Sequence, residues 1–250
     1  MTIERDGWLS EVLGYDAFRV SVRDGRKEVA SDLLHASLVE TRLPRAFYYA
    51  KVPTQQVEIV HVLETLGFRV VDVNVTLSRR PEESRQAYRG PVTIQDIEPA
   101  HYQQVLDIAA RCFVYSRFHL DPHIAQATAH AIKRAWVQSY LEKKRGERLL
   151  VGLLHGRPVG FLAVLAATPA GEPCRVIDLI GVDPLCQGRG VGRALVSCFV
   201  EQYAGVCPSV RVGTQVANVP SLRLYGSLNF QVQETAYVLH AHRGMGGILR

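Results

Sequence analysis

The chain lacks the features that would take it out of the class of ordinary globular proteins. It has only five cysteines in 250 residues (Cys112, Cys174, Cys186, Cys198 and Cys207), an odd number with no C-x-x-C spacing. That argues against a disulfide framework or a cysteine metal cluster, and reads as reduced, packed thiols in a cytoplasmic protein. No stretch approaches the ~18 consecutive apolar residues of a membrane span. The opening residues MTIERDGWLSEV are charged and contain no apolar run, so no signal peptide is expected. Basic runs with interleaved aromatics are absent too, and a net charge of +5 is too diffuse to point to nucleic acid. It does suit an anionic small molecule as partner. Hydrophobic residues at 47% and charged residues at 21% complete the picture of a soluble chain long enough for one large or two small domains.

What is present centres on Arg175 to Tyr203, RVIDLIGVDPLCQGRGVGRALVSCFVEQY. An apolar run predicts a strand over Val176–Val182, ended by Pro184. Gln187-Gly188-Arg189-Gly190-Val191-Gly192 then predicts a turn, and a helix follows from Val191 to Tyr203. Such a turn presents unpaired backbone N–H groups at the positive end of a helix dipole, where phosphate binds. Glycine lets the backbone approach a ligand, and Arg189 and Arg193 add charge that suits phosphate.

Two kinds of phosphate loop are excluded by what the stretch lacks. A Walker loop ends in Gly-Lys-Ser/Thr, but Arg193-Ala194 follows Gly192. A dinucleotide fingerprint is G-x-G-x-x-G, but here the glycines run G-x-G-x-G. The remaining pattern, Gln/Arg-x-x-Gly-x-Gly/Ala after a V-x-P strand end, is met by Gln187, Gly190 and Gly192 with Val182 and Pro184. It resembles the acetyl-CoA loop of the GCN5-related N-acetyltransferases. A glycine-rich turn that binds nothing is the bland alternative.

The rest of the chain divides at Ser78–Gly90, SRRPEESRQAYRG, a charged linker without apolar period. Residues 1–77 are expected as a small α/β unit. Its elements are an apolar segment around Trp8–Leu13, a strand Phe18–Val22, a helix Val29–Arg42, a strand Ala46–Val52, a helix capped by Thr54 and stopped by Gly67, and a strand Phe68–Leu77. Residues 91–242 read as strand, two helices, three strands, loop, helix, strand, helix, strand, and 243–250 as a flexible tail. A polar and aromatic loop, Tyr115–Pro122, joins the two helices. VLETLGFRVVDVNVTL in the first unit is echoed by LYGSLNFQVQETAYVL in the second, with Asp72 opposite Glu234, so the first unit is expected to resemble part of the second and to extend its sheet.

The order of segments is similar to that of a whole GCN5-related acetyltransferase domain. The resemblance implies an α/β (mixed α+β) fold with a splayed central sheet. It implies acetyl-CoA as cosubstrate, its pantetheine arm along Ile180, Gly181 and Val182 and its pyrophosphate on Gln187 to Arg193. It implies direct acetyl transfer to an amine, without a metal. Tyr225 is then the expected acid for the departing thiolate: a phenol with pKa about 10 stays protonated at neutral pH, where a thiol of about 8.5 leaves. Asn218, two helical turns earlier, is expected to cap its helix and to contact the cofactor.

Ser116-Arg117-Phe118 and the stretch Val212–His240 resemble one branch of the family, the dTDP-fucosamine acetyltransferases, which acetylate the 4-amino group of dTDP-4-amino-4,6-dideoxygalactose. The resemblance implies a nucleotide-linked amino sugar as acceptor, with Ser116, Arg117 and Phe118 lining its site; a surface charge at Arg117 and a core ring at Phe118 are the bland reading. Asp72 falls at the family's acidic strand position and is the candidate base, with His119 and His123 as alternatives and a solvated carboxylate as the bland reading. Other acceptors (an amino acid, a polyamine, an antibiotic, a peptide N-terminus) and a non-catalytic CoA-binding domain stay open. An exposed terminal strand could pair across a homodimer.

Overall fold

The computed structural model describes residues 2–21, 45–81, 88 and 90–244. The strands are β1 (Thr2–Arg5), β2 (Asp16–Ser21), β3 (Ala46–Pro53), β4 (Arg69–Arg79), β5 (Val92–Asp96), β6 (Arg148–Leu154), β7 (Arg157–Ala167), β8 (Cys174–Val182), β9 (Ser209–Gln215) and β10 (Gln231–Arg243). The helices are α1 (Gly7–Leu13), α2 (Val57–Thr65), α3 (Tyr102–Ala109), α4 (Arg117–Leu120), α5 (Gln126–Leu141), α6 (Val191–Gln202) and α7 (Val219–Ser227). All ten strands form one mixed sheet in the order β1-β2-β3-β10-β4-β9-β8-β7-β6-β5.

The echo noticed in the sequence is an echo in space. Strand, helix and strand β3-α2-β4 recur as β9-α7-β10 at one constant spacing: Val57 aligns with Val219, Thr65 with Ser227 and Arg69 with Gln231. The last strand of each set lies in the other half. β4 pairs antiparallel with β9, from Asn74 opposite Gln215 to Arg79 opposite Val210. β10 pairs antiparallel with β3, from Ala236 opposite Pro53 to Arg243 opposite Ala46. β4 and β10 also pair with each other. The boundary at the linker is thus a boundary in sequence, while the sheet runs across it.

Helices cover both faces. On one, α6 buries Val191, Ala194, Leu195 and Phe199 at helical spacing against Leu150, Leu162, Ile177 and Val212, with α7 beside it. On the other, α3 and α5 pack Val105, Ile108 and Val137 onto Val151, Phe161 and Leu179. A further core joins the halves: Leu9 of α1 and Phe47 of β3 meet Phe118, Ile124 and Ile132. Trp8 Nε1 donates to Ser139 Oγ on α5 at 3.0 Å.

Several expectations change. β1 was not foreseen, because four mostly exposed residues carry no periodic signal. Thr54 does not cap α2, which starts after Gln56; its hydroxyl instead shares a 2.6 Å hydrogen bond with Thr235 and ties β3 to β10. Ser78 and Arg79 belong to β4, paired with Arg211 and Val210, so the linker starts later. Arg243 belongs to β10, not to a tail. The helix expected over 29–42, most of the linker and the tail beyond Gly244 lie outside the described residues.

Candidate active site

The site starts from an incomplete strand pairing. β8 and β9 run parallel and pair only from Cys174 opposite Ser209 to Ile177 opposite Val212. From Asp178 to Val182, β8 keeps its partner β7 on one side but, among the described residues, has no strand on the other. β9 meanwhile continues to Gln215 along β4. The two strands part, and the β8 edge that includes Ile180, Gly181 and Val182 offers backbone N–H and C=O groups to whatever enters the gap. Gly181 fits only as glycine: a Cβ there would lie 2.6 Å from both Cys112 Sγ and the Phe161 ring.

Among the described residues the first half shows no such gap. β2 and β3 pair in parallel from Asp16 opposite Ala46 to Val20 opposite Ala50. At the spacing of the repeat, Asp16 and Val20 align with Asp178 and Val182, so the stretch that is open in the second half is closed in the first.

The turn after β8 is open to solvent. Asp183 caps a short 3-10 segment, accepting the Leu185 N–H, and pairs with Arg111 at 2.8 Å. Gln187, Gly188, Arg189 and Gly190 are exposed, and Gly188 and Gly190 have φ of 75° and 80°. Gly190 is the N-cap of α6 and supplies no side-chain acceptor, so the first-turn N–H groups of α6, beginning at Val191 and Gly192, remain available to an anion. Arg193 is exposed and donates to Ser227 Oγ at 2.7 Å, which joins α6 to α7. These residues fit a pyrophosphate, and the β8 edge fits the amide-rich arm of an acyl-CoA.

α7 brings the two cofactor-side residues of the sequence reading together. Asn218 Oδ1 accepts the Ser221 N–H at 3.3 Å, so it caps the helix as expected. Tyr225 is buried in the α6–α7 core, 5.7 Å from the Phe230 ring, and its hydroxyl bonds to no described residue. Burial pushes its phenol up, so it is fully protonated at neutral pH.

Asp72 lies on the opposite face. Along β4, Val75 and Leu77 point into the α6–α7 core with Tyr225, so Asp72 and Asn74 point the other way. Asp72 and Lys51 flank Val238 from either side of β10. Asn74 is the partner of Gln215 at the end of β9, so this polar row leads to the mouth of the gap. Both Asp72 carboxylate oxygens are buried without a hydrogen bond of good geometry. Burial raises the carboxyl to about 6; the Val73 amide, Gln215, Arg117 and Lys51 act the other way.

The Ser116–Phe118 segment is not the loop the sequence led us to expect. It opens the short helix α4, and two of its three candidates are structural. Phe118 is buried against Phe47 and Ile132, because an aromatic ring at the junction of the halves loses more water-exposed apolar surface inside than out. Ser116 is buried and bonds to His119 Nδ1 at 2.6 Å. Arg117 alone faces the polar row, its guanidinium 4.0 Å from the Tyr49 ring centre. Tyr49 is in turn held by a 2.8 Å hydrogen bond to Asp6. His119 is confined between Ser116 and His130 and is pushed down to about 4 by burial. His123 sits with Asp121.

Sequence reading missed Lys133. It lies on α5, buried, its ammonium 4.7 Å from the Trp136 ring centre and 4.9 Å from that of Phe113. Among the described residues it has no hydrogen bond and no ion pair. Burial pushes it down to about 8, with the nearby Arg117 acting in the same direction and Asp178 against it. Asp178 is already engaged by Arg145, Tyr140 and Trp136. The signal was legible: Ala129, Lys133, Val137 and Tyr140 form one buried helical stripe, and lysine breaks it.

Parted parallel strands and an uncapped helix after a glycine turn, in a mixed α/β sheet protein, are an arrangement that an acyl-CoA would fit. The chain belongs to the acetyltransferase (GNAT) family, whose model matches residues 102–230, just over half its length. It is 23% identical over 79% of its length to the spore coat polysaccharide biosynthesis protein SpsD of Bacillus subtilis, and spans 67% of that protein. It is 34% identical over 37% of its length to the mycothiol acetyltransferase of Acidothermus cellulolyticus, of which it spans 29%. In fold it is similar to a tandem GNAT protein from the clavulanic acid biosynthesis pathway, with a TM-score of 0.60 and 13% identity over 91% of this chain and 75% of that one. No helix among the described residues is long and apolar enough to cross a membrane.

Proposed function

We propose that the protein is an acetyl-CoA-dependent N-acetyltransferase whose acceptor is an amine carried on an anionic molecule, a nucleotide-linked amino sugar such as dTDP-4-amino-4,6-dideoxygalactose. The observation that carries the acceptor class is the pair of neighbouring cations, Lys133, buried, and Arg117, half-buried, neither of which has an ion pair to an acid among the described residues. A buried charge without a partner is costly, and an anionic ligand removes that cost. The names of the two relatives, one in polysaccharide biosynthesis and one an acetyltransferase, agree with this reading.

The chemistry follows from the two faces of the sheet. Asp72, on the acceptor face, takes a proton from the attacking amine, directly or through water. The amine nitrogen bonds to the thioester carbonyl carbon, and β8 backbone N–H groups at the gap stabilise the oxyanion. As the C–S bond breaks, Tyr225 on the other face gives its proton to the sulfur, and solvent later restores it. Base and acid thus approach the reacting carbon from opposite sides.

The test is release of free CoA from acetyl-CoA in the presence of dTDP- and UDP-linked 4-amino and 3-amino sugars. Turnover on one of them supports the reading; tight acetyl-CoA binding with turnover only on uncharged amines or peptides sinks it. Lys133→Met keeps the packing volume and removes the charge. It is expected to raise the acceptor KM about 30-fold or more, the loss of a desolvated charge contact, and to leave the KM for acetyl-CoA unchanged.

A further inference from the structure

Two short motifs outside the catalytic site converge where the halves meet. Asp121-Pro122-His123 follows α4, and His240-Ala241-His242 closes β10. On a strand, positions two apart share a face, so His240 and His242 point to the same side. The Phe47 ring packs against both imidazoles, at 4.7 and 5.1 Å between ring centres, and fixes their positions. Asp121 is almost wholly buried between them: its Oδ2 accepts from His240 Nδ1 at 2.6 Å and lies 2.8 Å from His242 Nε2.

The third imidazole is not explained by hydrogen bonding. His123 already donates its backbone N–H to Asp121 Oδ1 at 2.9 Å. Its ring Nδ1 stays 3.5 Å from the same oxygen, too far for a good hydrogen bond, while its ring lies 5.2 Å from that of His242. One donor atom from each of Asp121, His123 and His242 falls within 4.8 Å of the others. Ligand atoms on a tetrahedral zinc ion are roughly 3.3 Å apart, so the cluster needs only a small contraction.

We propose that Asp121, His123 and His242 bind one divalent transition-metal ion, of which zinc best suits two imidazoles and a carboxylate. Exposure runs in the right order for entry from solvent: the side chains of Asp121, His242 and His123 are 1%, 17% and 54% exposed. Water takes the fourth position beside His123. His240 stays outside the coordination sphere and orients the carboxylate through its Nδ1–H, the usual part of an outer partner. The ion would pin the end of β10 to the segment that carries α4, and so fix Arg117, four residues before Asp121. The site is separate from the acetyl-CoA gap, so it stands or falls independently of the proposed acetylation.

The experiment is a zinc titration of the chelator-treated full chain, by competition with a chromogenic chelator and by thermal unfolding, with magnesium as the control that imidazole does not favour. The expected result is one zinc per chain, a higher Tm with zinc and no response to magnesium. His123→Ala, a change at an exposed ring that the fold tolerates, is expected to weaken zinc by about tenfold or more and to abolish the Tm rise. Cobalt in place of zinc is expected to give visible absorption that the His242→Gln variant lacks. Absence of stoichiometric zinc, or zinc bound equally well by His123→Ala and His242→Gln, overturns the site.

Discussion

Replacing Tyr225 by phenylalanine is expected to lower kcat about 10²–10⁴-fold at neutral pH, the usual contribution of a placed general acid. The variant loses one oxygen from a side chain packed against Phe230 and the α6–α7 core, and that oxygen bonds to no described residue. The fold and the binding of acetyl-CoA should therefore be unchanged, and the loss should fall on kcat alone. The high pKa of the buried phenol adds a second expectation. Tyr225 should not ionise across the neutral and mildly alkaline range, so the wild-type rate should show no alkaline fall that disappears in Tyr225→Phe. Steady-state kinetics of both proteins, with the acetyl-CoA affinity measured separately, checks both points. A loss of less than about tenfold would mean that water protonates the thiolate.

Asp72→Asn is expected to be nearly as damaging, with a different signature. Burial raises the Asp72 carboxyl to about 6, and the base form is the ionised one. Activity should then be low below pH 6, rise as the pH passes through about 6, and reach a plateau near neutrality. In kcat/KM this limb reports the free enzyme. The asparagine variant should lose the limb and run on a plateau about 10²-fold lower. His119 and His240 cannot supply the same limb, because burial holds each down to about 4. A limb near pH 6 that survives in Asp72→Asn would assign the base elsewhere.

Much of this was legible in the sequence because it depends on local rules. Gln187, Gly190 and Gly192, following an apolar strand and preceding a helix with an apolar stripe, announced both the fold family and the turn. The echo between Leu66 and Leu228 announced the repeat, since helix, stop and strand recur there in the same order. What was not legible depends on long-range partners. Nothing in Phe68–Leu77 says that β4 pairs with β9 instead of β3. The splay of the sheet came with the family resemblance, but nothing in the apolar run, which continues to Val182, marks the end of β8–β9 pairing after Ile177. Phe118 stands in a polar stretch that leaves a ligand contact and a core position equally open, and Phe47 and Ile132, from opposite halves of the chain, close over it. Lys133 was the reverse case, legible from its helical stripe but passed over among its apolar neighbours.

The repeat also has a functional consequence. The parallel pair of the first half is closed where that of the second half is open. At the spacing of the repeat, Gly188, Gly190 and Gly192 align with Arg26, Glu28 and Ala30, so the glycines of the turn have no counterpart in the first half. In the proposed mechanism one half carries the cofactor site, and the other lends it β4 with Asp72.

Calorimetric titration of the full chain with acetyl-CoA tests this account most directly. It should give one site per chain, with affinity lost in Gly190→Val, which places a branched side chain at a φ of 80° in the phosphate turn. Two sites per chain would contradict the closed first half. Binding that Gly190→Val leaves unchanged would contradict the turn itself.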